Sequence, residues 1–202
     1  GTDTAGDSIA GRLARFENSL ISAASRPDSD VRLRTVVQEA NALVNGLNLA
    51  SDTIQNMRAE ADAKIAASVV TLNNALSDIE TLNGRIVSLG SSGSGAEALM
   101  DQRQNLIDQV NEIVPVRVVQ RDRGRVALYA HGGVILMDGP AAKVVFTQTH
   151  TITPDMTLQS GALSALVVNG RVVQTGSNYK SLAGGTLAAN FPVRDELAVA
   201  AQ

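Results

Sequence analysis

No cysteine occurs in this chain, which removes disulfides, thiolate metal sites and cysteine nucleophiles together and leaves the redox compartment open. Tryptophan is also missing, and aromatic residues make up only 2%: Phe16, Tyr129, Phe146, Tyr179 and Phe191. A core must therefore be built from Ala, Leu, Val and Ile, whose small or aliphatic side chains let helices pack closely along a seam. There is no excess of positive charge. The formal charge of −3 and a pI near 5.4 argue against nucleic acid as a partner. No run reaches the roughly 18 apolar residues of a membrane span, and Gly1 to Asp7 carry no apolar signal-peptide core. The chain does not begin with Met and reads as an excised fragment.

Proline is absent from Asp28 to Leu89, and apolar residues recur through that stretch at spacings of three and four. Leu33, Val36, Ala40, Leu43, Leu47, Ala50, Ile54, Met57 and Ala61 fall on one stripe of an α-helix, continued by Ile65, Val69, Leu72, Leu76, Ile79, Leu82, Ile86 and Leu89. Such a helix is about 93 Å long at 1.5 Å per residue. Asp28 or Ser29 is placed to cap it. Before it, Ile9, Leu13, Phe16 and Leu20 predict a helix from Ser8 to Ala24, stopped by Arg26-Pro27. After it, Gly90 to Gly95 reads as a flexible turn, and Leu99, Leu106, Val110 and Ile113 predict a third helix from Ala96 to Ile113. Neither short helix can cover the long one. Part of the long stripe must face another segment or another molecule.

From Val114 the texture changes, with nine of the seventeen glycines and four of the five prolines lying between there and Pro192. Val116 and Val118, then Val126, Leu128 and Ala130, alternate as strands around Asp122-Arg123-Gly124. Val134 and Leu136 before Asp138-Gly139-Pro140, with Val144 and Phe146 after it, form a hairpin signal. Asn169-Gly170 between Leu166–Val168 and Arg171–Val173 is a stronger one, because it supplies the two positive-φ residues of a type I′ turn. Helical character returns near Val193, and Arg194 to Gln202 is Ala-rich. The fold class is thus α+β: a long-helix rod or bundle domain over residues 1–113, completed by about 185–202, and a smaller β-rich outer domain over 114–184.

Catalytic chemistry finds little support. His131 and His150 lack partners at metal-ligand spacing, and Asp101, Asp108 and Asp122 have no third group to complete an acid/base site. Gly90 to Gly95 follows a helix and lacks the Lys-Ser/Thr ending of a phosphate loop. No cofactor or metal site is expected. Asp62 and Lys64 read as surface charge. Asn73 and Asn83 flank the apolar stripe, where a polar group either simply faces solvent or fixes register at some cost in stability. The seam that serves packing or assembly is Ile54, Ile65, Val69, Leu72, Leu76, Ile79, Leu82 and Ile86.

The order Met57-Arg58, Asp62, Leu72-Asn73, Leu82-Asn83, then Leu99-Met100-Asp101-Gln102-Arg103 and Leu106-Ile107, resembles the flagellar hook-associated protein 1 family, the hook-filament junction proteins. Met100 and Gln104 depart from that family's Leu-Asp-Gln-Arg-Asp element. Val116, Val118, Gly124, Gly132-Gly133 and Asp138-Gly139 are similar to the family's first β elements, and Gly185, Leu187, Phe191, Arg194, Asp195 and Glu196 to the segment where its chain re-enters the helical domain. The resemblance implies a non-enzymatic structural subunit that assembles through its helical face with copies of itself and neighbouring flagellar axial proteins. It also implies terminal helices outside this fragment, a possible export chaperone binding there, and an extracellular place in the flagellum reached without a cleaved signal peptide. The alternative is the ectodomain of a membrane sensor or receptor with long signalling helices.

Overall fold

The computed structural model describes residues 8–90, 94–175 and 181–197. Its elements run α1 (Ile9–Ala24), α2 (Asp30–Leu89), α3 (Ser94–Ile113), β1 (Val116–Gln120), a 3-10 turn (Asp122–Gly124), β2 (Val126–Ala130), β3 (Ile135–Met137), β4 (Val144–Val145), β5 (Leu166–Val168), β6 (Arg171–Val173) and α4 (Gly185–Asp195). The chain forms two compact units, Gly1–Gln55 and Asn56–Gln202. Compactness thus divides it inside α2, whereas composition changes at Val114.

Unit 1 is an antiparallel helical hairpin. Ser8 caps α1, its hydroxyl accepting from the Gly11 N–H at 3.1 Å. The pairing is polar: the Arg12 guanidinium donates to the Ala42 carbonyl at 3.0 Å, Arg15 meets Glu39 at 3.5 Å, and Arg32 donates to the Ser22 carbonyl at 2.6 Å. Gly46 leaves room for Arg12, since a Cβ at that position would lie 2.7 Å from Arg12 Cδ and the arginine side chain would have to shift. Ser19 and Ala23 are the buried residues of α1. The contact face is therefore small and polar, and the apolar stripe of Ile9, Leu13, Phe16 and Leu20 lies one residue round from it.

Unit 2 holds the remainder of α2, α3, both sheets and α4. Its core joins Ile65, Val69, Leu72, Leu76 and Ile79 of α2 to Ile107 and Val110 of α3, Leu128, Leu136 and Met137 of the first sheet, Leu166 and Val168 of the second, and Leu187 and Phe191 of α4. A smaller cluster gathers Leu82, Ile86 and Leu99. Each such side chain, fully buried, contributes about 1.5–3 kcal/mol.

The first sheet has the order β1-β2-β3 and the second β4-β5-β6, both antiparallel. The Asn169-Gly170 turn forms as expected, with φ of 50° and 77° and Val168 facing Arg171. The hairpin expected across Asp138-Gly139-Pro140 does not form: β3 pairs with β2, β4 pairs with β5, and only an isolated Met137–Ala141 bridge spans the turn. The physical reason lies at Val144, whose N–H and C=O are both taken by the Asn73 carboxamide, so that edge of β4 has no room for β3.

Two helix boundaries also move. Helix α3 starts at Ser94, two residues before the expected Ala96, while residues 91–93 of the expected glycine turn lie outside the described residues. Helix α4 starts at Gly185, well before Val193, because Leu187 and Phe191 at i and i+4 anchor it in the core. Residues 198–202 of the expected Ala-rich helix lie outside the described residues.

Candidate assembly surface and buried anchors

The expected seam residues separate into two settings. Ile65, Val69, Leu72, Leu76, Ile79, Leu82 and Ile86 are all buried in unit 2 against its own α3, sheets and α4, so they are not free to meet another molecule. Ile54, in unit 1, is half-buried.

Exposed apolar surface lies elsewhere in unit 1. Ile9, Leu13 and Leu20 of α1 and Leu33 and Leu47 of α2 are each 42–47% exposed, and Val37 and Val44 more so. The Arg12–Ala42 and Arg15–Glu39 contacts bring the stripe of α1 level with Leu43 and Ala40 of α2, so the apolar rows of the two helices run side by side. This hairpin buries no large aliphatic side chain and leaves that apolar strip exposed.

Beneath unit 2's surface lies a group of charges that sequence reading missed. Asp62, expected on the surface, is fully buried. Its Oδ1 receives Arg194 Nη1 at 3.2 Å and its Oδ2 accepts from the Thr149 N–H at 2.6 Å. Arg194 also forks onto Asp195 at 2.6 and 3.0 Å, donates to the Ser164 carbonyl, and lies 5.2 and 5.1 Å from the ring centres of Phe146 and Phe191, which meet each other edge to face. Arg58, one turn before Asp62, donates to the carbonyls of Arg194, Thr153 and Met156 at 2.7, 3.1 and 2.6 Å. Burial depresses the Arg58 pKa and raises that of the Asp195 carboxyl, the latter opposed by Arg194. Two guanidiniums and two carboxylates thus tie α2, α4 and the 149–164 loop together. Their signal in the sequence is phase: Arg58 and Asp62 continue the buried row Ile65-Val69-Leu72 backwards at spacings of four and three.

Asn73 and Asn83 turn out to bind strands. Asn73 Nδ2 donates to the Val144 carbonyl at 2.8 Å while its Oδ1 accepts from the Val144 N–H at 3.0 Å. Asn83 holds Val126 in the same two-point way, at 3.0 and 3.2 Å, and its Oδ1 also receives Arg103 Nη1 at 2.8 Å. Arg103 completes the joint on the Gly124 carbonyl at 2.7 Å, and its burial lowers its pKa.

The residues weighed for chemistry do not converge. His131 Nδ1 lies 3.0 Å from the Pro115 carbonyl at the surface, His150 is exposed, and Asp108 accepts from Gln104 of its own helix. Asp101 and Asp122 are exposed, and Lys64 pairs with Glu60 at 2.7 Å. A surface triad joins Arg121, Tyr129 and Asp138, and the Arg121 hydrogen bonds, helped by that of Tyr129, hold the Asp138 carboxyl below its ordinary pKa. Among the described residues no group of three or more His, Cys, Asp or Glu is placed to hold a metal ion.

Three comparisons bear on this architecture. A family model, the helical domain of flagellar hook-associated protein FlgK, matches residues 2–202. Flagellar hook-associated protein 1 of Salmonella typhimurium is 28% identical over 152 residues, covering 74% of this chain and 28% of the relative. The Escherichia coli protein of the same description is 26% identical over 179 residues, covering 86% of this chain and 33% of the relative. This chain therefore spans about a third or less of those relatives. The solved flagellar hook junction protein FlgK from Burkholderia pseudomallei superposes on 96% of this chain and 34% of its own, with a TM-score of 0.75 and 23% identity, and so has the same fold.

Proposed function

This chain belongs to the FlgK family of flagellar hook-associated proteins, and from that premise we propose that it is the helical-domain portion of a structural subunit joining hook to filament. The subunit works by assembly and carries out no catalysis. Its place is the bacterial flagellum, outside the cell, reached by export without a cleaved signal peptide. Copies of itself and neighbouring axial proteins are its partners, with an export chaperone engaging sequence outside this chain. No helix among the described residues is long and apolar enough to cross a membrane, and no comparison supports the sensor-ectodomain alternative.

The observation that carries the reading to particular residues is the exposed strip of unit 1: Ile9, Leu13, Leu20, Leu33 and Leu47. A hairpin that buries only Ser19 and Ala23 from α1 gains too little from its own packing to stand alone, since isolated helices are marginal in water. The seam residues of unit 2 are already buried in that unit's own core.

The test is made in cells that produce the full-length protein with Leu13→Asp and Leu47→Asp. Filaments are expected to detach from otherwise normal hooks, while the purified variant chain keeps the unfolding midpoint of unit 2. Normal filament attachment by the double variant overturns this placement of the assembly face.

A further inference from the structure

One row of α2 side chains does the work of a β-strand. Asp62, Asn73 and Glu80 each accept a backbone N–H from a single extended segment: Thr149 to Asp62 at 2.6 Å, Val144 to Asn73 at 3.0 Å and Ala141 to Glu80 at 2.9 Å. The segment runs antiparallel to the helix. Eleven residues separate Asp62 from Asn73 and seven separate Asn73 from Glu80, so at 100° per residue the three side chains leave the helix within about 20° of one another.

The spacings also agree. Along the helix the two intervals are about 16.5 and 10.5 Å at 1.5 Å per residue. Along an extended chain, the five residues from Val144 to Thr149 and the three from Ala141 to Val144 span about 17 and 10 Å. Between these points the backbone turns its other side away, the Lys143 N–H going to Asn169 Oδ1 and the Thr147 N–H to Ser164 Oγ. The segment is thus flanked by the second sheet on one side and by α2 on the other. Since β4 is an edge strand of that sheet, the row on α2 closes the edge at Val144.

We infer that Asp62, Asn73 and Glu80 form one binding site, a surrogate strand on α2, whose ligand is an extended peptide presenting N–H groups at positions i, i+3 and i+8; here the chain's own segment 141–149 fills it. The three acceptors act together, setting the register of the second sheet on the helix and denying its edge to other chains. This inference is independent of the assembly reading above.

Amide hydrogen exchange on the purified chain tests it. Glu80→Ala removes one acceptor from an exposed helical position without endangering the fold, and Asn73→Leu removes the central one. If the site is a single unit, E80A speeds exchange of the Ala141, Val144 and Thr149 amides by one common factor of about five, and N73L speeds all three further. Acceleration of only the amide whose acceptor was removed overturns the inference. So does an equal acceleration of the Ala130 amide, bonded to Val134 away from the segment, because the effect is then global.

Discussion

Replacing Arg194 by methionine keeps an apolar side chain beside Phe146 and Phe191 but withdraws the cation from two carboxylates. Asp62, fully buried, loses its 3.2 Å partner, and Asp195 loses a two-point bond at 2.6 and 3.0 Å. Arg58 donates to the carbonyls of Arg194, Thr153 and Met156, and its charge offsets only part of what Asp195 loses. Removing one member of a buried ion pair costs about 3–5 kcal/mol, mostly for the charge left behind. With a urea dependence of about 2 kcal/mol per M, the unfolding midpoint of unit 2 should fall by about 2 M. Tyrosine emission is a clean probe, since the chain has no tryptophan and its two tyrosines, Tyr129 and Tyr179, both follow Gln55. Asp62→Asn retains an acceptor for the Thr149 N–H, so adding it to R194M should recover at least 1.5 kcal/mol, roughly the coupling expected of groups in one network. A loss below about 1 kcal/mol in R194M, or strict additivity in the double variant, refutes the claim that this cluster is held by its charges.

Two further outcomes are expected. Gly185→Ala should destabilise unit 2 by several kcal/mol in the same urea titration, because φ is 73° there and a Cβ would stand 2.3 Å from the Ile113 carbonyl oxygen, whereas Gly84→Ala, with open space around it, should be neutral or stabilising by up to about 1 kcal/mol. An NMR titration should place the Asp138 midpoint below the ordinary carboxylate value of about 3.9, and Arg121→Ala should raise it, since the Arg121 hydrogen bond is the main cause of the shift. The sign follows from linkage: a depressed folded value means that Asp138's contribution is present above the ordinary carboxylate range and fades as pH falls through the folded value. Its exposure keeps that contribution small, and an unmoved midpoint in the Arg121 variant shows that solvent has screened the pair.

What could be read from the chain alone was whatever depends on local periodicity. The first helix, the unbroken α2 and the Asn169-Gly170 turn all follow from spacings within one element, and the structure has each of them. Phase was harder than period. The row Met57-Ala61-Ile65 looked like the natural continuation of the stripe because its members are apolar, yet Met57 is 47% exposed while Arg58 beside it is fully buried. Tertiary partners 95 to 136 residues away decided that, and Asp62 is interior where Arg194 and the Thr149 N–H meet it. The missing β3–β4 hairpin has a similar origin. Asp138-Gly139-Pro140 is a good turn, but the neighbour of Val144 is an asparagine on a helix, which no strand pattern encodes. In unit 1 the stripe of α1 was legible as a stripe; that the contact face would instead use Arg12, Ser19 and Ala23 depended on which small groups allow two helices to approach.

The meeting of Asp62 with Arg194 fixes an order of events. These two residues stand 132 positions apart, so a chain delivered amino end first must keep an aspartate waiting through both sheets until Arg194 arrives. Closure across so long a separation is entropically slow, and it rewards the chain only once α4 is seated. Until then, the 149–164 loop lacks the guanidinium that its Ser164 carbonyl faces. Unit 2 therefore behaves like a box whose lid carries the latch: anything that delays or removes α4 leaves the earlier pieces assembled in outline but unlocked.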